Sequence, residues 1–230
     1  MDNALLLSAY FGVFISMVAY FIGELLKKKF KLAIFNPLLI AIVIVIVALK
    51  LCNISYDTYY SSAKYLSYLL TPATVCLAIP LYEQFELLKN NWKAVMIGIF
   101  SGVIGSLSSV LALALIFSLS HEEYITLLPK SITTAIGVGV SEELGGYVTI
   151  TVAVIIITGI LGNMIGEALC HIFKIDEPIA KGVAFGTSAH AIGTAKAMEI
   201  GEIEGAMSSL AIAVAGLITV VGASIFANFI

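Results

Sequence analysis

The feature that most restricts this chain is a set of long stretches without a charged residue. Six of them run from Ala4 to Gly23, Leu32 to Leu49, Tyr65 to Tyr82, Ala94 to Ser120, Leu144 to Gly166 and Gly205 to Ile230. A bilayer core about 30 Å thick is crossed by about 20 apolar residues in helical form, because lipid offers no partner to an unpaired N–H or C=O. These stretches therefore predict transmembrane helices. Two more, Ser131 to Ser141 and Gly182 to Ala195, are too short to span unaided and are dense in Gly, Ser and Thr. They read as interrupted or re-entrant segments, which leaves six to eight crossings. The predicted fold is an all-α integral membrane protein forming one domain over residues 1–230, with N-terminal helices over 1–120 and the remaining segments after them.

Composition agrees and excludes other classes. Only 12% of residues are charged and 60% are hydrophobic, whereas a soluble domain carries roughly a quarter charged residues. Twelve Lys, no Arg and fifteen acids give a net charge of −3, so neither a nucleic-acid surface nor a basic amphipathic helix is indicated. Cys52, Cys76 and Cys170 are far apart and set in apolar surroundings, which supports neither a disulfide framework nor a metal site. No GxSxG, HExxH, phosphate-binding loop or complete dinucleotide fingerprint occurs, so no enzyme activity and no prosthetic group are expected.

Charge also orients the chain. The first stretch is preceded by acidic Met-Asp-Asn and followed by its Lys cluster, the reverse of a signal peptide, so it is expected to remain as a helix. Lys27, Lys28, Lys29 and Lys31 place the following loop in the cytoplasm of a bacterial plasma-membrane protein, and the N-terminus outside. Lys89 and Lys93 then fall inside beside Trp92, and the Tyr56 to Tyr60 loop outside. Two full crossings by the short segments would put seven Lys inside and five outside; two re-entrant segments would put nine inside and three outside. The bias favours re-entrance.

A shift of 60 residues superposes Thr134 on Thr194, Ala135 on Ala195, Glu142 on Glu202 and Gly145 on Gly205, then Ala153, Val154 and Gly162 on Ala213, Val214 and Gly222. Residues 127–173 and 182–230 thus read as repeated units, each an interrupted segment followed by a long helix. A weaker echo at a shift of 57 matches Ser101-Gly102 and Gly105 to Thr158-Gly159 and Gly162. Were the short segments re-entrant, the two units would face opposite ways, and interrupted segments at matching positions of inverted halves are how secondary transporters build a midplane site.

The polar residues inside these segments are the candidate ligands. Lys130, Ser131, Thr133 and Thr134 open the first, and Thr187, Ser188, His190, Gly193, Thr194 and Lys196 stand in the second. Hydroxyls and half-helix N–H groups suit a small carboxylate, with Lys or His to balance its charge. The alternative is that the hydroxyls bond their own backbone and the glycines permit close packing. Glu142 and Glu143 are a solvated turn or a site for a coupling cation; Asn163 and Glu167 share one helix face. His121 and His171 sit at segment ends, and the four GxxxG spacings at 98, 162, 182 and 201 read as packing.

The ordered blocks resemble a known family. Pro129-Lys130-Ser131-Ile132-Thr133-Thr134-Ala135-Ile136 and Ser141-Glu142-Glu143-Leu144-Gly145-Gly146 are similar to the PKSxTTPIA and SExIGG segments of the LrgB/CidB family. Ile157 to Gly162, Pro178 to Gly182, and Gly186 to Lys196 with Glu202-x-Glu204-Gly205-Ala206 resemble its ITGxxG, DPxARG and GTxSHGxGTA signatures, in order. Ala135 and Ala191 stand where that pattern has Pro and Gly. The resemblance spans roughly residues 5 to 230. It implies either an antiholin-like or holin-like protein that modulates murein hydrolase activity and autolysis with a small LrgA/CidA-type membrane partner, or a carrier of small monocarboxylates such as pyruvate or glycolate. The expectation taken forward is an ion-coupled (H⁺ or Na⁺) carboxylate carrier, homo-oligomeric in the bilayer, with the antiholin-like role as its alternative.

Overall fold

The computed structural model describes residues 10–30, 32 and 35–230, and every regular element among them is helical. Two compact units, Met1–Cys76 and Leu77–Ile230, divide the chain.

In the first unit, α1 (Phe11–Phe30) and α2 (Pro37–Leu51) pack through Ala19, Ala41 and Val45. Pro37 opens α2, and the Asn36 side chain accepts from the Leu38 and Leu39 N–H groups at 2.9 and 3.1 Å, occupying donors that a first turn leaves orphaned. The expected span from Ala4 falls partly on residues outside the described set. Beyond α3 (Tyr56–Ala63), the stretch expected to cross from Tyr65 to Tyr82 is broken into a 3₁₀ turn (Lys64–Leu69), α4 (Leu70–Cys76) and, in the second unit, α5 (Ala78–Glu83). Pro72 and Pro80 lie within it; each lacks an N–H donor and crowds the preceding turn, so one uninterrupted helix does not form.

The second unit is built on α6 (Phe85–Phe117), α7 (His121–Leu127), α8 (Thr134–Leu144), α9 (Val148–Ile172), α10 (Pro178–Ile200) and α11 (Glu202–Phe226). Among the described residues, α6, α9 and α11 with its 3₁₀ extension to Phe229 are each long and apolar enough to cross a membrane. They meet the expected fourth, fifth and sixth spans.

The second Gly/Ser/Thr-rich stretch is interrupted, as its composition suggests. At His190 the backbone takes φ 42° and ψ −139°, dividing α10 into arms 178–189 and 191–200. The arms fold back on each other: a Cβ on Gly193 would stand 2.8 Å from the Phe185 carbonyl oxygen, although these positions lie about 12 Å apart along a continuous helix. Gly182 packs on Glu204 and Met207, and Gly186 on Ser208 and Ala211, so the first arm runs parallel to α11. The second arm runs antiparallel to it, since Met198 meets Gly205 and Thr194 meets Ser208. α9 runs against the first arm, with Gly159, Gly162 and Gly166 facing His190, Ala189 and Phe185 in turn. The long helices α9 and α11 therefore point in opposite directions.

α7 and α8 form a second folded-back pair around residues 128–133. A Cβ on Gly137 would lie 3.5 Å from the Pro129 carbonyl oxygen. Thr126 anchors the pair to α9: its carbonyl accepts from Thr151 Oγ1 at 3.0 Å, and its Oγ1 accepts from the Tyr147 N–H at 2.8 Å. Ser120 and Glu123 cap α7 reciprocally, satisfying two donors at its start. Gly145, at φ 87°, closes α8 in the left-handed conformation that favours glycine.

Candidate functional site

A cavity of about 740 Å³ lies between α6, the turn at Lys130-Ser131 and the first arm of α10. Its walls follow from helix geometry. Ser101, Gly105 and Ser109 recur every four residues on α6 and so share a face. Gly98 and Gly102 on the adjoining stripe let the α10 arm approach, with Val183 Cγ1 and Thr187 Oγ1 at 3.2 and 2.8 Å from where a Cβ would sit.

One pole of the cavity is cationic. Lys130 is half-buried, and its Nζ donates to Ser131 Oγ at 3.0 Å and to Ser106 Oγ at 3.3 Å. No carboxylate of the described residues stands within ion-pair distance of it. Ser131, only 6% exposed, also accepts from Ser106 Oγ at 3.0 Å. A hydroxyl has two lone pairs and one proton; both lone pairs of Ser131 are engaged, so its O–H remains to be donated. Lys130 and Ser131 together present unspent donors and a positive charge.

The walls have the opposite polarity. Ser101 and Ser109 donate to the Gly98 and Ser106 carbonyls at 2.9 and 2.7 Å, and Thr187 and Ser188 to the Val183 and Ala184 carbonyls at 2.8 and 2.6 Å. Each hydroxyl proton is used within its own helix, which leaves lone pairs facing the cavity. Glu177 lines the far end, about 15 Å along the arm from Thr187.

Four of the sequence candidates, Lys130, Ser131, Thr187 and Ser188, therefore line one cavity. The others stand elsewhere. Thr133 stands at the N-cap position of α8 without a side-chain capping bond and Thr134 begins the helix, both half-buried and outside the cavity lining. His190 is 3% exposed, and its Nε2 donates to the Ile155 carbonyl at 3.0 Å. Thr194 donates to the His190 carbonyl at 3.1 Å and shares a 2.6 Å hydrogen bond with Ser208. Gly193 lies in the crease between the arms. Lys196 pairs with Glu167 at 2.7 Å and Glu199 at 3.7 Å. Asn163 donates to the Ile192 carbonyl at 2.9 Å, while Glu142 and Glu143 are exposed at the end of α8.

The α6 wall was not among the sequence candidates, although Ser101, Gly102 and Gly105 occur in the weaker echo at a shift of 57. Among the described residues no group of three or more His, Cys, Asp or Glu is arranged to hold a metal ion.

The fold and cavity define a helical membrane protein in which the turn of one folded-back pair, one arm of the other and a long helix line a pocket with a cationic pole. The chain belongs to the LrgB-like family, whose profile matches residues 16–229. It is 39% identical over 225 residues to proteins named "Antiholin-like protein LrgB" from Bacillus cereus (strain B4264) and Bacillus anthracis (strain A0248), covering 97% of this chain and 98% of each relative. No solved structure matches it.

Proposed function

We propose that the chain is a membrane carrier for a small carboxylate, with the Lys130 cavity as its binding site. The observation that carries this reading is the donor pole: a half-buried ammonium with no carboxylate partner among the described residues, beside a buried hydroxyl whose lone pairs are both taken. An unpaired charge at membrane depth is costly, and an anion offsets that cost. The carboxylate would sit on Lys130 and Ser131, its tail along the lone-pair wall of Ser101, Ser109, Thr187 and Ser188. Such a wall suits a tail that donates hydrogen bonds, as a hydroxyl does.

The folded-back pairs fit alternating access. Their tips act as re-entrant hairpins, with the broken backbone buried in protein, one of the two settings, with the lining of a watery cavity, in which it is tolerated at membrane depth. The opposed directions of α9 and α11 suit an inverted repeat. The N-terminus lies outside the plasma membrane, and H⁺ or Na⁺ provides coupling, with Glu142, Glu143, Asn163 and Glu167 as the candidate groups. No prosthetic group is required. Saturable uptake of radiolabelled glycolate or pyruvate into proteoliposomes, driven by a pH or Na⁺ gradient and lost in Lys130→Gln, is the expected result. Uptake that ignores Lys130 would refute the site. Maleimide labelling of Cys at positions 174 or 181 from outside intact cells would refute the re-entrant topology.

The name of these relatives favours a second reading more directly than it favours the first: an antiholin-like protein acting with a small LrgA-type partner, as a homo-oligomer or a mixed one. A carrier whose substrate alters cell-wall metabolism would reconcile the two. Leakage of unrelated dyes from the same vesicles, without saturable uptake, would favour the pore-related role over the carrier.

A further inference from the structure

We infer that Gly105 is the size-selecting residue of the Lys130 cavity: the space left by its missing side chain receives the carbon chain of the bound carboxylate. The inference rests on the carrier reading and adds to it the residue that limits the ligand.

The starting point is a glycine without an internal reason. Gly105 lies well inside α6, where glycine costs about 1 kcal/mol relative to alanine. The backbone does not require it, since Gly145 is the glycine with positive φ among the described residues. Packing does not require it either, because no atom beyond its own turns of helix lies within 4 Å of where its Cβ would stand. Its α6 neighbours differ: Gly98 and Gly102 are held small by Val183 and Thr187. So does its counterpart in the weaker repeat, Gly162, where a Cβ would collide with Ala189. One repeat position thus permits helix contact in α9 and leaves an opening in α6.

That opening is placed where a ligand needs it. Gly105 precedes Ser106, which binds both Lys130 and Ser131, and it lies between Ser101 and Ser109 on the cavity face. An anion on the donor pole therefore has the Gly105 gap beside its first carbons. The contact of Gly102 with Thr187 closes the wall one turn away, whereas the wall at Gly105 is open. The cavity as a whole, at about 740 Å³, is far larger than a two-carbon acid, so its total volume does not exclude longer acids, and the inference places the limit at the open wall of Gly105.

The test is a graded series, Gly105→Ala, Gly105→Val and Gly105→Leu, in the full chain in proteoliposomes. The probes are 2-hydroxy acids of two, four and six carbons, each competing for uptake of labelled glycolate. The expected result is a progressive fall in the relative affinity for the longer acids, reaching about tenfold or more at Leu, the range that one or two methylenes command in a fitted pocket. Gly139→Leu, on the exposed face of α8 and away from this cavity, leaves the chain-length profile unchanged. A second readout does not use transport: the rate at which Gly105→Cys reacts with a maleimide falls when the six-carbon acid is present. A flat profile with wild-type uptake intact overturns the role of Gly105 alone. No saturable uptake by the wild type overturns the carrier reading and this inference with it. Loss of an oligomer in Gly105→Leu, read by size-exclusion chromatography, would mean that a neighbouring helix fills the gap, and would also overturn it.

Discussion

His190 Nε2 donates to the Ile155 carbonyl at 3.0 Å, which ties the bend of α10 to the middle of α9. The same residue carries φ 42° and ψ −139° and receives the Thr194 hydroxyl on its own carbonyl. Backbone in so sparsely populated a region persists only where the surroundings over-determine it. Here the ring, wedged against Gly159, and the carbonyl are both held.

His190→Ala is therefore expected to destabilise the protein by about 2–4 kcal/mol, through a cavity and a lost buried hydrogen bond. The melting temperature of the detergent-solubilised protein measures this. His190→Gln, which keeps a donor, recovers part of the loss. If His190→Ala melted like wild type while uptake vanished, the ring would be a substrate ligand and not the pin of the bend.

Close contact at glycine makes the opposite kind of prediction. A Cβ on Gly186 would stand 2.5 Å from the Ser208 carbonyl oxygen and 2.7 Å from the Ala211 Cβ. Neither neighbour is the end of a flexible chain. Gly186→Ala should cost about 1–3 kcal/mol by overpacking, whereas Gly105→Ala, with open space around it, should leave the melting temperature unchanged or raise it through helix propensity. Melting both variants side by side separates packing glycines from the one that opens the cavity.

How much of this could be seen in the sequence depended on how local each feature is. Charge-free length predicts α6, α9 and α11 directly. The break in α10 is signalled by the Gly, Ser and Thr that crowd residues 182–195. The Tyr65 to Tyr82 stretch misleads because hydropathy gives Pro72 and Pro80 no more weight than any neutral residue, although each removes a backbone donor. For the site, Lys130 and Ser131 are visible in the sequence as a polar pair opening the first interrupted segment, but their wall on α6 is a tertiary fact. Ser106 is one serine among several in α6, and only its hydrogen bonds with Lys130 and Ser131, 24 and 25 residues away, distinguish it. Thr194 is equally polar, yet it faces Ser208 inside the packed arms; composition does not say which side of a bend a hydroxyl will face.

The donor pole gives a direct test by linkage. A ligand that binds only the folded protein stabilises it by RT ln(1 + [L]/Kd), about 2.7 kcal/mol at a hundredfold excess over Kd. Glycolate or pyruvate should therefore raise the melting temperature of the wild type, and Lys130→Gln and Ser131→Ala should abolish the rise. Lys130→Arg should restore it only in part, because the longer planar guanidinium does not reproduce the geometry of the ammonium between Ser106 and Ser131. A thermal shift that survives Lys130→Gln would place the anion elsewhere.

Lys196 makes the sharpest contrast with Lys130. Both are cations of the broken segments, but Lys196 is paired with Glu167 across α9 and α10 at 2.7 Å and with Glu199 at 3.7 Å. The Glu167 side chain is 63% exposed, so solvent screens the pair and its contribution to stability is about 0–1 kcal/mol. Lys196→Gln should therefore melt close to wild type and keep the ligand-induced shift that Lys130→Gln loses. If the pair also holds the two helices in register during transport, Lys196→Glu should slow uptake, and Glu167→Lys combined with Lys196→Glu should restore it. Rescue by the double reversal would show that the two charges act on each other. A loss of ligand binding in Lys196→Gln as deep as that in Lys130→Gln would instead put Lys196 in contact with the substrate.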